Sequence, residues 1–112
     1  MNERVSYLYE PLHPAILRMV RLVLRAGKRR GLPVSVCGEM ASDPVLLTLL
    51  VGLGLREFSM ALTAIPLAKQ VVRGLNAADA AAVGARALRA RTAADVERVI
   101  LQFLAPLEIK RG

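Results

Sequence analysis

One thiol stands out among the side chains that could do chemistry. Cys37 is the only cysteine in the chain, and it closes the short apolar run Val34-Ser35-Val36-Cys37. Gly38-Glu39-Met40-Ala41-Ser42 follow it, and then the pair Asp43-Pro44. That order of residue types describes a β-strand, a polar loop and the start of a helix. Parallel α/β folds keep their reactive groups at that end of the strand. From residue type alone the thiol has two readings, a reactive group at the mouth of a βα loop or a small buried apolar filler.

Other candidates are weaker. Glu39 and Asp43 flank the loop after Cys37, and their spacing would allow a metal role. Hydrogen bonding to loop amides and helix capping is the reading their types favour. The arrangement repeats about twenty residues later, where Glu57-Phe58-Ser59-Met60 leads through a loop to Ile65-Pro66. Ser59 and Thr63 follow that strand, where they have either substrate contact or plain turn chemistry open to them. His13, the only histidine, sits between Leu12 and Pro14. It invites a phospho-acceptor reading, but its place ahead of a helix start favours a polar loop role. Met19, Met40 and Met60 read as packing residues. Gly52 and Gly54 stand between apolar residues, and no dinucleotide or P-loop pattern surrounds them.

These residues need elements to hold them. Pro14 suits the first position of a helix, where its missing N–H costs nothing. From Ala15 to Arg30 the cations at 18, 21, 25, 28 and 29 form one polar stripe at helical spacing. Gly31 stops that helix, and Leu32 to Cys37 follows as a strand with Pro33 near its start. Asp43-Pro44 caps a helix that is apolar on every side from Val45 to Val51 and is therefore expected to be buried. Gly52-Leu53-Gly54 ends it and turns the chain into a strand over Glu57 to Met60. A helix beginning at Ile65 or Pro66 closes at Gly74. Asn76 then caps an alanine-rich helix to Ala90, Thr92 and Asp95 form a capping pair for a helix over Ala93 to Leu104, and Pro106 opens a loose tail. Tyr7, Tyr9, Pro11 and Pro14 argue against a helix at the start of the chain.

Strands alternating with helices imply parallel pairing through crossover connections. Two parallel strands cannot protect both faces and both edges of a sheet. The expected fold is therefore α/β, the last two βα units of a (β/α)8 TIM-type barrel, followed by C-terminal helices. A complete barrel needs about 250 residues, and this chain has 112. Residues 1–74 would be the barrel units and 75–112 the closing helices.

Composition agrees with that picture. The chain is 54% hydrophobic, which suits segments covered on both sides. The longest charge-free run suited to one helix, Pro44 to Leu55, has 12 residues. A membrane span needs about 20. The N-terminus carries no apolar signal region, and a single cysteine fits a reducing cytoplasm. The net charge of +7 comes mainly from Arg18, Arg21, Arg25, Lys28, Arg29 and Arg30, and from Arg86, Arg89, Arg91 and Arg98. A nucleic-acid or acidic partner is one reading of that charge. No aromatic interleaving supports it, and arginines on solvent-facing helix surfaces account for the pattern.

Several segments together resemble a known family. They are Leu8-Tyr9-Glu10-Pro11-Leu12-His13-Pro14-Ala15-Ile16-Leu17, then Val36-Cys37-Gly38-Glu39-Met40-Ala41, Leu50-Val51-Gly52-Leu53-Gly54-Leu55 and Glu57-Phe58-Ser59-Met60. They resemble the C-terminal end of enzyme I of the bacterial phosphotransferase system, the phosphoenolpyruvate–protein phosphotransferase. Pyruvate phosphate dikinase and phosphoenolpyruvate synthase are more distantly similar. The resemblance implies a barrel that binds phosphoenolpyruvate and Mg²⁺ and passes the phosphoryl group to a histidine on a separate domain, then to the carrier protein HPr. It implies that Cys37 matches the cysteine that protonates the enolpyruvate carbon. The family's metal-binding Glu and Asp, its Asn and its phosphate-gripping arginines come from earlier strands. On that basis no cofactor is expected for this chain alone, and alone it should not turn over. The resemblance does not separate the sugar-transport branch from the nitrogen-related branch. The rival expectation is a stand-alone truncated relative, a non-catalytic interaction module that self-associates or docks on a partner.

Overall fold

The computed structural model describes residues 11–37, 43–60 and 62–107. The first helix, α1, runs Pro14–Arg30. His13 caps it, its Nδ1 accepting from the Ala15 N–H at 3.1 Å. Gly31, with φ of 66°, ends it in the left-handed region that favours glycine. The strand that follows, β1, is Ser35–Cys37 and not the expected Leu32–Cys37. The Leu32 N–H donates to the Gly27 carbonyl at 2.8 Å and so completes the helix stop. Pro33 has no N–H to give a ladder. Pairing therefore begins two residues beyond it.

The central helix α2, Pro44–Leu53, starts from Asp43, whose carboxylate accepts from the Val45 N–H at 3.3 Å. Every residue from Pro44 to Leu50 is buried, as an apolar helix requires. The one polar member, Thr48, donates its hydroxyl to the Pro44 carbonyl at 2.8 Å and so carries its own partner inside the helix. Gly52 does not end this helix. The helix continues through it to Leu53, and Gly54, with φ of 112°, is the cap. Arg56 then ties down the exit, donating to the Val51 and Leu55 carbonyls at 2.9 Å each.

Strand β2 is Glu57–Ser59, one residue shorter than expected, and it pairs parallel to β1. Its register sets Ser35 against Glu57, Val36 against Phe58 and Cys37 against Ser59. A 3₁₀ turn over Leu62–Ala64, for which the sequence carried no signal, leads into α3, Ile65–Gly74. Helices α4 (Ala77–Leu88, shorter than the expected end at Ala90) and α5 (Ala93–Leu104) complete the chain. A second 3₁₀ turn, Ala105–Leu107, contains Pro106, and the rest of the expected tail, Lys110-Arg111-Gly112, lies outside the described residues.

Both late helices start at side-chain caps. Asn76 accepts from the Ala78 and Asp79 N–H groups at 2.8 and 3.2 Å. Thr92 accepts from the Asp95 N–H at 3.1 Å, while the Asp95 carboxylate meets Arg98 at 2.9 Å. That ion pair is exposed and contributes little. Asn76→Ala should lower the unfolding free energy by about 1 kcal/mol, read as a shifted urea midpoint with unchanged slope. An unmoved midpoint would mean that the cap is dispensable.

Packing is organised around α2. Leu46, Leu49 and Leu50 join Leu17 and Leu24 of α1, Val83 and Ala87 of α4, and Val96, Ile100 and Leu104 of α5 in the main core. Leu47, on another face, packs with Ala68 and Val71 of α3. Phe58 reaches both clusters from the sheet. Gly52 and Gly84 let α2 and α4 cross at backbone contact: a Cβ built on Gly84 would lie 3.3 Å from the Gly52 carbonyl carbon. Arg18 of α1 reaches across to the Leu88 carbonyl at 3.2 Å and so joins α1 to the C-terminal end of α4. Met19 departs from the packing role expected of it, lying 61% exposed on the outer face of α1 with Leu22 and Val23. Met60 packs against the second cluster as expected.

The architecture is a mostly helical α/β unit. Its described residues form one two-stranded parallel sheet. The α/β order and the parallel pairing match expectation, but among the described residues there is no closed barrel.

Candidate functional site

Two chain positions meet at one end of the sheet. Cys37 is the last residue of β1, and Ser59, its register partner, is the last of β2. Adjacent strands lie about 4.8 Å apart, so the two backbones present these positions side by side. Local sequence explains the arrangement. Val36 and Phe58, the preceding pair, pack against the helix-lined core. Side chains alternate along a strand, so Ser59 is left on the other face of β2, exposed. Each strand is followed by a connection and a helix start, α2 at Asp43 and α3 at Ile65.

The other candidates separate from this end or take structural duties. Asp43 is the N-cap of α2. Glu39 and Met40 lie outside the described residues. Thr63 is exposed within the 3₁₀ turn after β2. His13 is committed to capping α1, the polar role expected of it. Beside the strand end, a cavity of about 620 Å³ is lined by Phe58, Ser59, Met60 and Ala68, with Lys69 and Arg73 on its α3 side. A second cavity, of about 500 Å³, lies at the opposite end of the strands among Arg25, Lys28, Arg56 and Glu57. Its cations sit where α1 and α2 end, and positive charge favours those positions for helix stability alone.

The chemistry this end can supply is that of a thiol and a hydroxyl. A thiol can give a proton to a carbanion-like carbon, and a hydroxyl can donate a hydrogen bond. Among the described residues no group of three or more His, Cys, Asp or Glu is placed to hold a metal ion.

Three features escaped sequence reasoning. The side-by-side placement of Cys37 and Ser59 depends on strand register, which the βα repeat hints at without fixing. Gly52 and Gly84 as a helix crossing depend on two segments 32 positions apart. The role of Arg56 was visible only as a cation after a glycine stop.

Known proteins resemble this chain strongly. Residues 1–77 match the family model described as PEP-utilising enzyme, PEP-binding domain. A phosphoenolpyruvate-protein phosphotransferase of Priestia megaterium is 53% identical over 79 residues, 70% of this chain and 14% of the relative. One from Bacillus subtilis is 45% identical over 96 residues, covering 86% of this chain and 17% of the relative. One from Mycoplasma pneumoniae is 38% identical over 109 residues, 97% of this chain and 19% of the relative. The chain thus spans less than a fifth of the length of the curated relatives it matches. No helix among the described residues is long and apolar enough to cross a membrane. With a family model covering well over half of its length and relatives matching nearly all of it, the chain belongs to the PEP-utilising enzymes, in the PEP-binding domain of the phosphoenolpyruvate–protein phosphotransferases.

Proposed function

We propose that this chain supplies the last two strand–helix units of a phosphoenolpyruvate-binding (β/α)8 barrel, with residues 1–74 in the barrel and 75–112 as its closing helices. In this reading Cys37 is the acid of the reaction. The observation that carries it is the position of the only thiol at the C-terminal end of a parallel strand, within the segment that matches the family model.

The chemistry follows from what leaves the phosphate. When the phosphoryl group passes from phosphoenolpyruvate to a histidine on another domain, the C–O oxygen keeps the bonding electrons and the enolate of pyruvate is left behind. Its terminal carbon takes the proton of the Cys37 thiol. An S–H bond breaks, a C–H bond forms, pyruvate results, and the thiolate regains a proton from water. Delivering that proton at a fixed position is general acid catalysis. Charge on the transferring phosphoryl group needs separate stabilisation by cations. By the resemblance, the family's Mg²⁺ ligands and phosphate-gripping arginines come from earlier strands of the barrel. The carrier protein HPr is the next acceptor in this reading, and the chain by itself is inactive.

The test is a chimera in which this chain replaces the matching segment of the Bacillus subtilis relative. It should bind phosphoenolpyruvate, form pyruvate and phosphorylate HPr. A folded chimera that does not bind phosphoenolpyruvate would overturn the reading.

Among the described residues each strand has one neighbour, which leaves the ladder with an open edge on both sides. The isolated chain should therefore self-associate. Its thermal midpoint is expected to climb with concentration, and a sharp, concentration-independent transition in a monomer would count against open edges.

A further inference from the structure

We infer that the cavity at the N-terminal end of the strands binds a small organic carboxylate with an apolar body. The site lies at the opposite end of the sheet from Cys37 and does not depend on the role proposed for the thiol.

Its lining residues come from four parts of the chain: the end of α1, the approach to β1, the end of α2 and the start of β2. Leu24, which is buried, and Val34 and Leu53, which are half-buried, give it an apolar lining. Arg25 and Lys28, neighbours on one side of α1, and Arg56, between α2 and β2, bring cations from two segments to the same space. Its volume of about 500 Å³ falls within the range of small-molecule sites. Helix-end stabilisation acts within the last turn. In α1 that turn holds Lys28, Arg29 and Arg30, so Arg25 lies outside it.

Arg56 selects the head group. Its Nη1 donates to the Val51 and Leu55 carbonyls at 2.9 Å each, which fixes the guanidinium against the end of α2. The remaining edge, Nε and Nη2, can grip a carboxylate with two parallel hydrogen bonds. A guanidinium already held at one corner loses less freedom in doing so. Glu57 also lines the cavity, and its charge opposes the ligand's. Arg25, Lys28 and Arg56 outnumber it, and apolar walls beside them weaken solvent screening.

The probe is 2-naphthoate, compared with 2-naphthol, which carries the same rings without a charge at neutral pH. The chain has no tryptophan, so the fluorescence anisotropy of the probe reads binding cleanly. Ionic strength is held fixed, because diffuse attraction to a basic chain depends on salt. Naphthoate should bind at least about tenfold more tightly than naphthol, and Arg25→Gln and Arg56→Gln should each weaken it about tenfold. Glu57→Gln should tighten it about threefold. Arg91→Gln, at a cation that does not line the cavity, should leave it unchanged. If Arg56→Gln disturbs the exit of α2, Arg25→Gln and Glu57→Gln still decide the matter. No binding, equal binding of the two probes, or equal losses at Arg25 and Arg91 overturn the inference.

Discussion

Gly52→Val should lower stability by at least about 3 kcal/mol, a large share of the about 5–15 kcal/mol that holds an ordinary domain folded. A Cβ built on Gly52 falls on the Ala80 carbonyl oxygen and lies 3.0 Å from its carbonyl carbon. Both atoms are α4 backbone, so no side chain can swing aside. Relief would require α4 to move away from α2, and Val83 and Ala87 of the main core move with it. Gly84 is the internal control. Its Cβ would meet the Gly52 backbone only at 3.3–3.5 Å. Replacing a helical glycine by alanine gains about 1 kcal/mol of helix propensity. Gly84→Ala should therefore come out near neutral as crowding and propensity offset each other. Urea unfolding of both variants checks the pair. Equal losses at the two positions would mean that the crossing is looser than described.

Cys37→Ala, made in the chimera with the Bacillus subtilis relative, should slow pyruvate formation by a factor of about 10² to 10⁴, the usual contribution of a positioned acid. Phosphoenolpyruvate binding should be nearly unchanged, because the proton moves after the substrate is held. In kinetic terms kcat falls while the binding constant stays. The contrast with a packing role is direct. If the thiol were only a small apolar side chain, alanine would leave a space of one sulfur atom, with a modest loss of stability and little change in rate. Parent-like turnover in Cys37→Ala would remove the acid from Cys37.

Much of the fold was legible because its helices announce their own ends. Pro14 and Pro44 mark starts, Gly31 and Gly54 mark stops, and Asp43, Asn76 and Thr92 each bond an early amide. These are local signals, set within four residues of the backbone groups they satisfy. Strand lengths were less legible. Leu32 has the apolar character of a strand residue, yet its N–H is claimed by Gly27 of the preceding helix. Composition cannot reveal that competition. Gly52-Leu53-Gly54 does end the helix, through Gly54, but the second duty of Gly52 was hidden: its lack of a side chain serves a helix 28 residues further on, at Ala80. The candidate site was half legible. Cys37 was picked out by type and position, but its neighbour Ser59 follows from a register that only the folded ladder fixes.

Helix α2 also has a consequence for synthesis. Ten residues from Pro44 to Leu53 carry no charge, and much of what covers them lies between Ala80 and Leu104. The family match stops at residue 77, before that cover begins. A nascent chain therefore leaves the side of α2 that α4 and α5 cover exposed while some fifty further residues are translated, several seconds at about 5–20 residues per second. During that interval it is a natural client for chaperones. A nascent chain arrested at residue 77 should remain chaperone-bound, and one extended through α5 should be released.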